Sequence, residues 1–357
     1  MTARKGHKAP ALLRSSYTGE CYQQSIARGG TVLIPAAVGD QCALEELAFY
    51  ELIRRGDYYG YPGMLGAVRP LGGALELVVG YPGLAGALLY NLLPACRPGE
   101  HVEWGIPGLR IAGIGRNRLH LRWLAGQAGL TITGATTSVW RRYVKHIDQY
   151  VRSEEMLPLW NTASLHADER KYLDALYGRR AYPADGAWPA SGMLRRIGLL
   201  NKLAFYAGNG WCRRDLGHRA SDWSLDMYFA PGVERRDEEF IQALCDARTG
   251  LGLGLDHSMT NDRGYRQVVL RSAGREPARV DLRFTTDDAA HAGQAKILMV
   301  ETGVPAARLD LIIPQSAAAA VSHEEHDLLM RKIHHAGIPQ LPPNPDRRAH
   351  RSAVGVG

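Results

Sequence analysis

Between Asp222 and Phe284, alternation, helical spacing and turn residues agree over a longer run than anywhere else in the chain. Trp223 to Phe229 alternates apolar with polar side chains, the spacing of a strand with one buried face. Val233 to Ala247 carries apolar residues at helical spacing, and three strand-like runs follow at 251–259, 264–271 and 278–286. The stretch is predicted to form a β-α-β-β-β unit. A helix from about Asp287 to Thr302 and a strand at 308–313 extend it.

Neighbours on a strand point to opposite faces, so the alternation also assigns sides. Trp223, Leu225, Met227 and Phe229 are expected in the core, with Ser224, Asp226 and Tyr228 opposite. Val280, Leu282 and Phe284 go inward, leaving Arg279, Asp281 and Arg283 outside; Leu253 and Leu255 go inward, leaving Asp256 outside. Asp226, Asp256 and Asp281 are therefore expected on polar sheet faces. A charge-balanced, solvated face accounts for them. So does a catalytic site, because metal-dependent nucleotidyl transfer needs two or three carboxylates on adjacent strands to hold a divalent cation against phosphates. Ser221-Asp222-Trp223-Ser224-Leu225-Asp226 and Val280-Asp281-Leu282 resemble the strand motifs of polymerase-β-like nucleotidyltransferases. The resemblance implies Mg or Mn as cofactor, with Asp226, Asp256 and Asp281 as catalytic candidates. Ser224 stands where the first acid of an Asp-x-Asp pair belongs, and Gly217-His218 where that family has Gly-Ser.

The rest of the chain divides around this unit. Residues 1–14 read as a flexible basic arm without acids, and 15–154 as an N-terminal α+β domain. That domain is predicted to hold helices at 16–27, 43–54, 84–93 and 137–151. Its strands are predicted at 65–69, 74–79, 108–114, 118–124 and 129–133, with Gly115-Arg116-Asn117 supplying a turn. Asp40 is a candidate cap for the second helix and Gly56 its stop. Residues 155–220 read as a mainly helical connector, with helices at 168–177 and 193–206, the latter capped by Ser191. Residues 221–340 form the C-terminal α+β domain, ending in a helix announced by the capping box Ser322-x-x-Glu325, and 341–357 a disordered tail. The predicted class is α+β in two domains, each a mostly antiparallel sheet with helices on one face. With one middle strand set aside, the second domain has the ferredoxin-like order β-α-β-β-α-β. Strand, helix, then several strands occur in both halves, without residue-level similarity between 74–124 and 223–284.

Charge is unevenly distributed. From Trp104 to Ile147 there are seven basic residues and no Asp or Glu, and 104–219 carries +10 against −3 for the remainder. A polyanion-binding surface requires such concentration, although 36 Arg against 7 Lys also fits a GC-rich, bacterial coding genome. Arg110, Arg118, Arg122, Arg141, Arg142 and Lys145 are the candidate phosphate contacts, and DNA or RNA the expected partner. In the predicted strand at 118–124, Arg118, His120 and Arg122 share the face opposite Leu119, Leu121 and Trp123. A helix-turn-helix at 124–143 fits less well than a hairpin followed by a helix, because apolar positions would fall on Ala135 and Ser138.

Other signals are weaker. Five scattered cysteines without Cys-x-x-Cys argue for a reduced cytoplasmic location, with no disulfide framework and no zinc ribbon. The N-terminus lacks the apolar run of a signal peptide, and Ala74–Ala95 is broken by Pro82 and Pro94 and is no membrane span. The glycines at 80, 83, 86 and at 250, 252, 254 lack phosphate-loop spacing, so no cofactor is indicated outside the nucleotidyltransferase reading. His323, His326, His334 and His335 fall on one predicted helix, but His-Glu-Glu-His is not metalloprotease spacing. The expected function is nucleic-acid binding. Metal-dependent nucleotidyl or phosphoryl transfer is one alternative, a non-catalytic partner-binding protein the other.

Overall fold

A computed structural model describes residues 8–27, 34–54, 64–97, 102–177, 186–212, 222–262, 264–272, 278–301, 304–315 and 321. Helices α1 (Lys8–Thr18), α2 (Tyr22–Ala27) and α3 (Gly39–Arg54) lead into β1 (Leu65–Leu71), β2 (Ala74–Val79) and α4 (Ala85–Leu92). Short strands β3 (Ala95–Cys96) and β4 (Val102–Trp104) precede β5 (Leu109–Gly115), β6 (Arg118–Trp123), β7 (Gly129–Thr133) and α5 (Thr137–Ser153). Strand β8 (Leu157–Pro158) and helices α6 (Ala167–Tyr177), α7 (Trp188–Leu194) and α8 (Ile197–Lys202) follow. The last part comprises β9 (Ala207–Cys212), β10 (Asp222–Phe229), α9 (Asp237–Cys245), β11 (Leu253–Thr260), β12 (Arg266–Ser272), β13 (Arg279–Thr286), α10 (Ala289–Glu301) and α11 (Ala306–Leu309).

Two five-stranded sheets have the same topology. The first runs β1-β2-β7-β6-β5 and the second β9-β10-β13-β12-β11. In each, an antiparallel pair is joined through one parallel pairing, β2 with β7 or β10 with β13, to two further antiparallel neighbours. A helix follows the second strand in both, α4 or α9, and another follows the fifth, α5 or α10. The duplication thus lies in topology. The expected ferredoxin-like order is met only in part: β10, α9, β12, β13 and α10 follow it, but among the described residues no strand follows α10, β11 is an addition, and β9 occupies the edge next to β10.

The two units interlock through the helices that lead into them. Helix α3, before β1, packs on α7 and on β9 of the other unit, while α8, before β9, packs on β1. Phe49 of α3 meets Trp223 of β10 edge to face at 5.9 Å, an arrangement worth about 0.5–1.5 kcal/mol beyond its buried area. Glu45 of α3 is buried, and Arg195, just after α7, donates to both of its carboxylate oxygens at 2.7 Å. The Ser191 hydroxyl donates a further hydrogen bond to Glu45 at 2.7 Å. One continuous core runs from Leu44, Leu77 and Leu119 to Trp223, Leu282 and Phe284. A small third sheet, β4-β3-β8, flanks the first unit. Among the described residues no helix is long and apolar enough to cross a membrane.

Several expectations are corrected. Residues 8–14 belong to α1, not to an arm, because Arg14 is buried against Glu20 at 2.7 Å. The second sheet starts within the stretch read as a helical connector. β9 has the sequence Ala-Gly-Asn-Gly-Trp-Cys, poor in strand formers, and its glycines answer to packing. A Cβ on Gly210 would lie 2.2 Å from Ile53 Cδ1, and one on Gly208 2.9 Å from Phe205 Cε2. Ser191 lies inside α7 rather than capping a helix. The apolar run at 308–313 forms no strand, since β9 already occupies the edge beside β10. Ile312 and Ile313 join the core instead, and Lys296 Nζ donates to the Ile313 carbonyl. The final helix with its four histidines and the tail lie outside the described residues.

Candidate functional site

The hairpin β5–β6 is the framework of the basic face. Its two-residue turn, Arg116 and Asn117, has φ of 51° and 59°, the left-handed pair that matches the twist of adjoining strands. The Asn117 side-chain Oδ1 accepts from Thr137 N at 3.1 Å, tying the turn to the start of α5. Beyond the turn, β6 alternates strictly: Leu119, Leu121 and Trp123 are buried, while Arg118, His120 and Arg122 are exposed. Across the sheet Gly115 is opposite Arg118, Gly113 opposite His120 and Gly129 opposite Arg122. A Cβ built on Gly113 or Gly115 would meet nothing within 4 Å. Each of the three exposed side chains thus has a glycine on one neighbouring strand, while on the other side Arg110 lies opposite Arg122, and Thr131 lies opposite His120 with its hydroxyl 3.2 Å from His120 Nδ1. Glu76 of β2 is buried and held by Arg69 and by the Thr133 hydroxyl.

The structure does not gather all six basic candidates here. Arg110 is only 1% exposed. It makes a two-pronged ion pair with Glu169, at 2.8 and 2.6 Å, and donates to the carbonyls of Thr162 and Ser164, so its guanidinium is committed to the fold. Helix α5 packs on β5 and β6 through Trp140, Tyr143 and Ile147. Its exposed Arg141 and Lys145 and half-buried Arg142 therefore lie on the outer side of the helix layer, away from Arg118 and Arg122. Arg142 sits 5.4 Å from the Tyr143 ring centre, and burial raises the Tyr143 pKa while Arg142 opposes the rise. Burial holds His146, on the same helix, below the ordinary histidine range.

The second sheet also brings only some candidates together. Asp226 and Asp281 share a face of the parallel pair β10/β13, with Asp226 opposite Arg283 and Ser224 opposite Asp281. Arg283 lies 3.6 Å from Asp226 and 3.4 Å from Asp281. Gln267 donates to both oxygens of Asp281 at 2.8 and 2.9 Å. Asp281 and Ser224 are fully buried, not solvated as alternation alone implies. Asp226 has its pKa raised, first by burial and then by the charge of Asp281, against the opposing pull of Arg283. Asp256 sits apart on edge strand β11, 3.0 Å from Arg271. Leu255 keeps its pairing with Leu270, but on this edge strand every residue after Leu253 is exposed, and Leu255 is 60% exposed rather than buried.

No protein-family model, curated protein or solved structure gives a significant match to the chain.

The Arg283 guanidinium already lies between the two carboxylates that a Mg or Mn ion would need, and the third is two strands away from β13. A cleft of about 180 Å³ bounded by Tyr17, Lys202, Leu203, Arg236, Glu239 and Phe240 is smaller than the roughly 300–1,000 Å³ of ordinary small-molecule sites, and none of the three carboxylates lines it. The residues that sequence reasoning missed are Gly113 and Gly115. Their signal was present, since a two-residue turn at 116–117 places 115 across from 118.

Proposed function

We propose that the chain binds nucleic acid through the open face of its first sheet, with Arg118 and Arg122 contacting backbone phosphates and His120 between them. The observation that carries the reading is the pairing of each of these side chains with a glycine on a neighbouring strand. A sugar-phosphate backbone can then approach the sheet closely while the two guanidinium groups reach it from one line. Phosphate contacts position a nucleic acid without reading its sequence, which suits a face with only one side chain, His120, between the arginines. Arg141, Arg142 and Lys145 belong to a second, separate surface, and Arg110 to neither.

The test is binding of the full chain to labelled DNA and RNA, single- and double-stranded, across a salt series. Wild-type affinity is expected to fall steeply with salt, and each arginine removed from the face to lower the magnitude of the log–log slope by about 1. Arg118→Glu with Arg122→Glu should abolish binding, whereas Arg141→Glu with Lys145→Glu should leave it nearly intact. Gly113→Val adds bulk to open space beside His120 without a clash, so it should weaken binding with no loss of stability. Equal loss in the sheet and helix variants would refute the assignment to the sheet face. Absence of binding at low salt would refute the function.

A further inference from the structure

Away from this face, the small sheet β4-β3-β8 and the start of α6 bring three metal-binding side chains together. Cys96 on β3, His166 just before α6 and Asp168 in its first turn place one thiol sulfur, one imidazole nitrogen and one carboxylate oxygen within 4.8 Å of one another. Cys96 and Asp168 are buried and His166 is half-buried. His166 Nδ1 is 3.2 Å from Asp168 Oδ2. We propose that Cys96, His166 and Asp168 form a site for a divalent transition metal of the zinc class, with the fourth tetrahedral position open to water.

The donor set selects the ion. Thiolate and imidazole favour zinc over magnesium or calcium, which prefer all-oxygen shells. Three protein ligands with one open position is a common zinc arrangement. Bonds of about 2.0–2.3 Å to each ligand require the three atoms to draw in from their present spacing, which the half-exposed His166 ring can do by rotating. The surrounding turn is held in advance. Glu169 accepts from the backbone N–H of His166 at 2.9 Å and of Gly108 at 2.7 Å, while its carboxylate is locked by Arg110. Arg110 and Glu169 thus fix the segment that presents two of the three ligands, which gives this buried pair a positioning role. Among the described residues, Lys171 pairs with Asp168 at 3.4 Å but is largely exposed and can swing into water, and the long 3.4 Å hydrogen bond from the Asp168 N–H to His166 Nδ1 gives way as the ring rotates. A second cluster, Asp287, Asp288 and His291, lacks a thiol and lies at the surface.

Cobalt(II) is the probe, added to the full chain under a phosphine reductant. Thiolate-to-cobalt charge transfer absorbs in the near ultraviolet, so it separates the Cys96 site from the carboxylate cluster at Asp287. The expected result is one equivalent of cobalt with a charge-transfer band, displaced by zinc. Cys96→Ser should remove the band, and His166→Ala should weaken cobalt binding at least tenfold. Should Cys96→Ser fail to fold, His166→Ala decides alone, because its ring is half-exposed and outside the core. Cobalt binding without the band, or no cobalt binding at all, would overturn the proposal. So would a band of unchanged affinity in His166→Ala, or one that persists in Cys96→Ser.

Discussion

Two cysteines near the start of the chain differ in what water can reach. Cys21 is exposed, whereas Cys42 is buried in α3, where burial above all pushes its thiol pKa up to about 12; Glu45 and Glu46 add to the rise, while Ser191 and Arg195 act against it. Because the thiolate is the reactive species, a maleimide is expected to modify Cys21 in the native protein and to reach Cys42 only after unfolding, as read by peptide mass spectrometry. Comparable labelling of both would contradict the burial. His146 makes a pH-dependent contribution of the opposite kind. Its native pKa is held below the ordinary value by burial, so the unfolded chain takes up the proton first. The stability involved is present above about pH 6.5 and is lost as pH falls below it. His146→Gln should therefore reduce the decline of the urea midpoint between about pH 7 and pH 5, and an unchanged decline would remove His146 from the account.

At the scale of elements, the β5–β6 hairpin shows what local sequence can and cannot specify. Strict alternation in β6 and the Gly-Arg-Asn turn made the hairpin legible, and with it the shared face of Arg118, His120 and Arg122. Arg116 nevertheless holds a φ of 51°, where a Cβ costs about 1 kcal/mol that glycine avoids. Arg116→Gly is expected to raise stability by about 0.5–1 kcal/mol. Asn117→Gly should gain nothing, since it removes the acceptor for Thr137 N; chemical denaturation of both variants distinguishes the two effects. The fate of Arg110 was not legible, because its partner Glu169 is 59 residues away and no local pattern marks the pair. Nor does α5 reveal from its own spacing which sheet face it covers, and that choice separates Arg141 and Lys145 from Arg118. In β11 the inward placement of Leu255 failed because an edge strand left uncovered beyond Leu253 does not bury the residues that alternation assigns to the core. β9 stayed hidden for a related reason: its glycines reflect the close approach of Ile53 and Phe205, not its own strand preference.

At the scale of the molecule, the sequence suggested two α+β halves, and the structure shows two sheets whose leading helices are exchanged. Helix α3 lies against β9 and α8 against β1, so unfolding either unit strips a packed helix from the other. A chain built this way should melt in one cooperative transition rather than two. The Glu45–Arg195 pair offers the sharpest probe of that coupling, because both side chains are no more than 1% exposed and they join α3 to the segment after α7. Removing one partner leaves an uncompensated buried charge, so Arg195→Met or Glu45→Ala is expected to cost about 3–5 kcal/mol. The double variant should cost less than the sum of the singles, since neither charge is then stranded. Calorimetry with circular dichroism of each variant reads both effects. If the units are coupled as the helices indicate, every variant lowers a single transition, and near- and far-ultraviolet signals move together. Two transitions, with Glu45→Ala shifting only one of them, would mean that the exchanged helices dock onto units that fold by themselves.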